Sequence, residues 1–280
     1  MKYRHLFDTQ RIPIFGFGTW RLGGVKHADT SQDERIIQAI RDAIELGYTH
    51  IDTAEMYGAG HTEELVGQAI RGYDRHQLQI CTKVWHTNLG YYDVLKAFDA
   101  SLKRLGLDYI DIYAVHHPSA HIPLAETFRA LNELVESKQV RYLAVSNFSV
   151  DQLKLAQEYS RTPIVMSQAP CSLYNRRYIK NGLLNYCQQN NILMAAYTPF
   201  ERGDLLDNPV LIDIAQRYGA TPAQIALNWI TSQPQTMVYL MSMDKGHLRE
   251  NLDALDLELS PDDLSLLDEL DMPEEKLWPQ

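Results

Sequence analysis

The 280-residue sequence predicts one (β/α)8 TIM barrel over residues 1–280. An N-terminal hairpin (1–14) is expected to close its bottom, and an extra C-terminal helix and tail (260–280) to lie outside it. Three observations predict this. Short apolar runs alternate with helical stretches along the chain, and runs that are apolar on both faces belong to parallel strands covered by helices. Eight such runs end in a polar or special residue: Thr19, Asp52, Lys83, His116, Ser146, Gln168, Tyr197 and Ser242. The first and last of these are 223 residues apart, seven intervals of about 32, which suits one strand–helix unit per interval. An open doubly wound sheet is the rival. It usually opens its first helix on a G-x-G-x-x-G turn, and this chain has none.

Each element has a local reason. Residues 3–7 and 12–14 read as a hairpin around Asp8-Thr9-Gln10-Arg11, and 15–19 as the first barrel strand. Ser31 and Glu34 are spaced as a capping box. Ile36, Ile37, Ile40 and Ile44 then share one helical face, and Gly47 stops the helix. A strand at 48–52 follows. Thr62 opens a helix with Leu65, Val66, Ala69 and Ile70 as its stripe. Strands are predicted at 78–83, 109–115, 142–145, 164–167, 192–196 and 237–241, with helices at 94–105, 125–140, 149–160 and 179–189. Thr221, Pro222 and Gln224 cap a helix to Ser232, and Ser260-Pro261-Asp262-Asp263 caps a last one at 264–270. The stretch Met272-Pro273-Glu274-Glu275 reads as a solvated tail.

Composition narrows the function. Twenty-six Lys and Arg against thirty-six Asp and Glu leave a net charge of −10, the wrong sign for a nucleic-acid partner. At 45% hydrophobic and 22% charged, the chain is neither disordered nor membrane-like. The longest uninterrupted apolar stretch, 192–197, is far too short to cross a bilayer. Met1 to His5 hold no apolar signal core. Cys81, Cys171 and Cys187 are far apart and read as free thiols in a reducing compartment. A cytoplasmic monomer with a small-molecule partner is expected, without membrane or nucleic acid.

In a barrel of this kind, catalytic groups sit at the carboxyl ends of strands. Asp52, Lys83 and His116 end three successive strands, and Tyr57 lies in the loop after Asp52. A free phenol, with a pKa near 10, is a poor acid at neutral pH. A neighbouring Lys83 ammonium favours phenolate and is expected to lower that pKa, with Asp52 holding the lysine. His116 would orient a substrate oxygen or share the proton. Such a set protonates a carbonyl oxygen as it becomes an alcohol, and the reduction then needs a hydride donor. Each residue also has a plainer reading: Asp52 as a helix cap or loop ligand, Tyr57 and His116 as packed structural groups. Lys83 fits that plainer reading least, because a lysine in a barrel mouth is costly unless paired. The first strand offers no His or carboxylate, so no metal site is expected.

The same residues sit in words that resemble the aldo-keto reductase family, as a short-loop member of prokaryotic type. These words are Gly16-Phe17-Gly18-Thr19-Trp20, His50-Ile51-Asp52-Thr53-Ala54-Glu55-Met56-Tyr57-Gly58 and Thr82-Lys83-Val84-Trp85. They continue as Asp111-Ile112-Tyr113-Ala114-Val115-His116-His117-Pro118, Val145-Ser146-Asn147-Phe148 and Ala196-Tyr197-Thr198-Pro199. Six words in family order make the resemblance specific. It implies the barrel, NAD(P)-dependent reduction of aldehydes and ketones, and Asp52, Tyr57, Lys83 and His116 as the catalytic tetrad with Tyr57 as proton donor. It implies NADP(H), with NAD(H) as second candidate. Ser146, Asn147 and Gln168 would hold the nicotinamide carboxamide, and Tyr197 would stack on the ring with Thr198 beside it. Thr19, Arg21 and Asp52 would line that end. Phe200, Gly203 and Leu205 lie in the stretch that would pass over the pyrophosphate. Ser242, His247, Arg249, Glu250 and Asn251 lie in the stretch that would hold the adenosine phosphate. A non-catalytic dinucleotide-binding regulatory subunit or redox sensor of the same fold is the alternative.

The sequence departs from the family at the end of its last strand. Where Ile-Pro-Lys is usual, this chain has Tyr239-Leu240-Met241, leaving Lys245, His247 and Arg249 as nearby cations for a 2′-phosphate. Pro170-Cys171-Ser172-Leu173 replaces a word that commonly holds a tyrosine. The loop after His116 is short, which implies an open mouth. Trp20, Tyr57, Trp85, His116 and His117 would line it on the substrate side.

Overall fold

The structure, a computed structural model, describes residues 1–8 and 10–270. The chain opens on an antiparallel hairpin, β1 (Tyr3–His5) and β2 (Arg11–Pro13). Eight parallel strands then close a barrel: β3 (Phe15–Gly18), β4 (His50–Asp52), β5 (Gln79–Val84), β6 (Ile110–Val115), β7 (Val140–Ser146), β8 (Ile164–Pro170), β9 (Leu193–Tyr197) and β10 (Thr236–Leu240). They neighbour one another in chain order, and β10 closes onto β3 with Val238 opposite Phe15 and Leu240 opposite Phe17. The order follows from the alternation in the sequence, since each parallel pair needs a crossover and the crossover helix packs on the outside.

Alternation along each strand makes two cores. Ile112 and Ala114 face the barrel interior with Cys81, Ala144, Leu193, Met237 and Tyr239. Tyr113 and Val115 face outward and pack under the helices. The same period turns Lys83, two residues after Cys81, and Asp52, two after His50, into the barrel. The hairpin closes the amino-terminal ends of the strands. Leu6 and Ile12 join the interior core, the Arg4 guanidinium donates to the carbonyls of Thr231, Gln233 and Thr236, and Gln79 Nε2 donates to Arg11 O. The opposite mouth is therefore the one left for ligands.

The surrounding helices are α1 (Asp33–Glu45), α2 (His61–Ala69), α3 (Tyr91–Leu105), α4 (Leu124–Glu136), α5 (Val150–Tyr159), α6 (Arg177–Lys180), α7 (Leu183–Gln189), α8 (Pro209–Tyr218), α9 (Pro222–Ser232), α10 (Lys245–Asp253) and α11 (Pro261–Asp268). Both members of the Thr221/Gln224 capping box are formed at α9, and Ser149 with Gln152 forms another at α5. The predicted Ser31/Glu34 box is not formed. Gln32 is the N-cap of α1 without a side-chain bond, because Asp29 Oδ1 takes the Ser31 amide in a turn of its own. Thr62 is not the start of α2, which begins at His61; its hydroxyl donates to Leu22 O instead. The predicted helix at 179–189 breaks into α6 and α7 at Gly182, whose φ of 86° interrupts the helical path.

Two helices, α8 and α10, lie outside the sequence prediction. Their signals are local: Asn208 caps α8 with Pro209 behind it and Gly219 ending it, and Asp244 caps α10. The last predicted helix is α11, which Ser260 caps and which docks on α9 through Trp229 Nε1 to Asp268 Oδ1 at 2.7 Å. Thr9 and the acidic stretch at 272–275 lie outside the described residues.

Candidate active site

Two adjacent strands, β4 and β5, and the loop after β4 place an ammonium between a carboxylate and a phenol. β5 carries Lys83 inward, where its side chain is 1% exposed. Its three hydrogens have three acceptors: Asp52 Oδ2 at 2.5 Å, Thr53 O at 2.8 Å and Tyr57 Oη at 3.4 Å. Burial is the largest single influence and pushes the lysine pKa down, but the Asp52 charge and hydrogen bond, with Tyr57 and Cys81 beside them, together outweigh it and hold it above the ordinary value. The lysine is thus a fixed cation, as the sequence reading expected.

Tyr57 corrects that reading in one respect. Its pKa is pushed up to about 12, not down: burial dominates, Lys83 opposes it and Asp52 adds to it. A deeply buried phenolate loses more hydration than one ammonium at 3.4 Å restores. His116 is corrected too. Burial first, then the Lys83 charge, pushes its imidazole down to about 2, so it stays neutral and does not share a proton as imidazolium. Its Nδ1 is buried without a partner.

Aromatic rings wall this corner. Trp20 leans on Tyr57 at 4.8 Å between ring centroids, and His116 meets Tyr57 edge-on at 5.6 Å. Trp85 meets His116 at 5.0 Å and His117 at 5.5 Å, both edge-on. The five substrate-side residues named from sequence are therefore contiguous. Glu55, which the sequence reading left unused, fixes the Trp85 loop: its Oε1 accepts from Trp85 N at 2.5 Å and Asn88 Nδ2 at 3.0 Å. Its place in the Asp52–Tyr57 word was the available signal.

Across the mouth, Ser146, Asn147, Gln168 and Tyr197 end or follow β7, β8 and β9. The Tyr197 hydroxyl donates to Asn147 Oδ1 at 2.6 Å, and Asn147 Nδ2 donates to His116 O and Ser146 Oγ. Three non-glycine residues in the loops that follow strands hold positive φ: Asn147 (64°) and Thr198 (54°) directly after β7 and β9, and Arg21 (73°) three residues after β3. Such strain clusters at sites that need it. Gln168 is turned inward, its Nε2 donating to Asp52 Oδ1 at 2.8 Å and to Tyr239 Oη at 3.1 Å. Thr19 is fully buried and its hydroxyl donates to Asp52 O.

The remaining named residues divide. Phe200 is half-buried and Gly203 lies in a short turn, but the Leu205 side chain is buried in the outer core. Ser242 follows β10, and Asn251 is buried on α10. Glu250 Oε1 accepts from Thr221 Oγ1, which ties α10 to α9. His247 and Arg249 are exposed on α10. Lys245 is committed elsewhere, to Asp42 at 3.0 Å and Glu45 at 2.7 Å on α1, so it is not the free cation the sequence suggested. Among the described residues no three His, Cys, Asp or Glu side chains converge as metal ligands.

A closed parallel barrel with a buried Lys–Asp pair beside a tyrosine at its mouth defines a class, and nearly the whole chain agrees: residues 15–272 match the Aldo/keto reductase family, to which this protein belongs. It is 34% identical to a glyoxal reductase of Bacillus subtilis (96% of this chain, 92% of that one). It is 35% identical to a methylglyoxal reductase of Escherichia coli (92% of this chain, 90% of that one). A thermostable aldo-keto reductase solved with the inhibitor epalrestat superposes with a TM-score of 0.93 at 42% identity (96% and 99% covered). A Klebsiella pneumoniae aldo/keto reductase solved with NADP and acetate superposes at 0.85 and 33% identity (94% and 93%).

Proposed function

We propose that this protein reduces aldehydes and ketones to alcohols with NADPH, Tyr57 donating the proton. The observation that carries the reading is the Lys83 ammonium held between Asp52 and the Tyr57 hydroxyl. The residues present fit a nicotinamide. A half-buried Tyr197 ring, pinned through its hydroxyl, offers a flat partner. Ser146 and Asn147 beside it offer the hydroxyl and amide groups a carboxamide pairs with. When bound, the nicotinamide supplies the hydride.

The chain's own residues do the rest. His116, neutral and edge-on to Tyr57, orients the carbonyl oxygen toward the phenol. Tyr57 passes its proton to that oxygen as the alcohol forms. Lys83 steadies the phenolate left behind, and Asp52 keeps Lys83 in place. Trp20, Trp85 and His117 exclude water from the substrate. The glyoxal and methylglyoxal reductases among the relatives support small α-oxoaldehydes as the substrate class.

NADH is read as a second cofactor. Met241 is exposed where the family commonly has a lysine, Lys245 is paired away, and Asp244 presents a carboxylate at the start of α10. That leaves Arg249, with the exposed His247 two residues earlier on α10, as the anchor for a 2′-phosphate. The protein is further read as a single-domain cytoplasmic monomer, and its three buried free cysteines support the reducing compartment in that reading.

Purified protein mixed with NADPH and methylglyoxal should consume NADPH, followed by absorbance of the reduced nicotinamide. Binding of NADPH without turnover on any of a panel of aldehydes would sink the reductase reading in favour of the regulatory one.

A further inference from the structure

Below the mouth, the barrel interior holds a polar chain that none of the proposed steps uses. His50 Nδ1 lies 3.1 Å from Gln79 O, and a carbonyl can only accept, so Nδ1 carries the hydrogen. His50 is fully buried and its pKa is pushed down to about 4, first by desolvation, so the ring is neutral and Nε2 is an acceptor. Tyr239 Oη, 2.8 Å away, must therefore donate to it. The phenol has one hydrogen, and the nitrogen is nearer than the competing Met166 Sδ at 3.2 Å. The Tyr239 oxygen is then left to accept from Gln168 Nε2 at 3.1 Å. Gln168 gives its other hydrogen to Asp52 Oδ1 at 2.8 Å. An amide oxygen in that place would face the carboxylate, so the contact itself requires nitrogen there. The direction of every bond, from the Gln79 carbonyl up to Asp52, is thereby determined.

We infer that Tyr239 is a positioning residue for the reaction: locked by His50, it holds the Gln168 amide so that Asp52 is bonded on both oxygens, one to Gln168 and one to Lys83. The inference rests on the proposed roles of Tyr57 and Lys83. Asp52 is only 5% exposed, so water cannot replace a lost donor freely. Without the Gln168 N–H, the carboxylate keeps a larger claim on Lys83, and less of that charge is left for the Tyr57 phenolate. Cys81, His116 and Tyr197 also face Tyr57, but none carries a compensating positive charge. The ring of Tyr239 fits because residue 16 is glycine. A Cβ there would come within 2.8 Å of Tyr239 Cδ1 and 2.9 Å of His50 Cδ2.

The test compares Tyr239→Phe in two backgrounds, with NADPH and phenylglyoxal as probes. In the otherwise unaltered protein, kcat should fall about three- to tenfold with the aldehyde KM within about twofold. In an Asp52→Asn background, where no anion remains to be held, the same substitution should cost less than about twofold. A purely structural role predicts equal losses in both backgrounds, and that result overturns the inference. So does an unchanged kcat, or a raised KM with kcat intact. If Tyr239→Phe does not fold, His50→Leu takes its place: it keeps the phenol, removes its acceptor, and should show a smaller loss that vanishes in the Asp52→Asn background. Tyr57→Phe is run in parallel. Normal turnover there would defeat the proton-donor reading itself, whatever Tyr239 does.

Discussion

Lys83 gives all its hydrogens to fixed acceptors, so substitutions around it should separate by what each leaves behind. Tyr57→Phe removes only the proton, and carbonyl reduction should fall roughly a hundredfold or more while NADPH affinity and melting temperature hold. Near-normal steady-state turnover would remove Tyr57 from its role. Lys83→Met strands Asp52 as a buried unpaired anion and should cost about 3 kcal/mol of stability, read from urea unfolding, along with most activity. Asp52→Asn leaves a neutral amide in the same place and should cost less of both. Met241→Lys tests the adenosine end. A new charge-assisted bond to a 2′-phosphate is worth roughly 1.5–3 kcal/mol, about ten- to a hundredfold tighter NADPH, with NADH nearly unmoved. Dissociation constants from tryptophan quenching decide it, and equal gains for both cofactors would mean that residue 241 does not face the phosphate.

At the scale of elements, the loop after β5 depends on one carboxylate. Glu55 accepts from the Trp85 backbone and from Asn88, so Glu55→Ala frees a loop that carries one wall of the substrate corner. The expected result is a roughly tenfold higher aldehyde KM with kcat little changed, since the loop positions substrate and not the proton. An unchanged KM would show that β5 alone holds Trp85. The helices teach how much capping signals carry. Thr221/Gln224 and Ser260 act where their sequence words place them: each hydroxyl accepts the capped backbone amide while donating its own hydrogen to a carboxylate, Thr221 to Glu250 and Ser260 to Asp263. Ser31/Glu34 has the same spacing and forms nothing, because Asp29 two residues earlier captures the Ser31 amide first. The α8 signal, Asn208-Pro209 with Gly219, was as strong as any of these and needed only to be read.

At the scale of the whole molecule, stability should depend on acid through the barrel interior. The His50 pKa is depressed from 6.5 to about 4, so the folded protein prefers the neutral ring. The stability this adds is complete above pH 6.5 and is lost as pH falls toward 4, amounting to roughly 3 kcal/mol. Urea midpoints measured across that range should fall for the native protein and fall less for His50→Leu; parallel slopes would place the acid sensitivity elsewhere. The barrel itself was legible in the sequence, because strand alternation and a repeat near 32 residues are short-range properties that any parallel closure must satisfy. The places of Asp52, Tyr57, Lys83 and His116 were legible for the same reason, since strand ends in a barrel converge at one mouth. What only the tertiary structure decided is the balance of energies there. Whether burial or the lysine wins at Tyr57, which acid takes up Lys245, and which groups face Gln168 are settled by contacts between residues far apart in the chain. Desolvation and hydrogen-bond direction belong to the packed interior, and no spacing along the sequence encodes them.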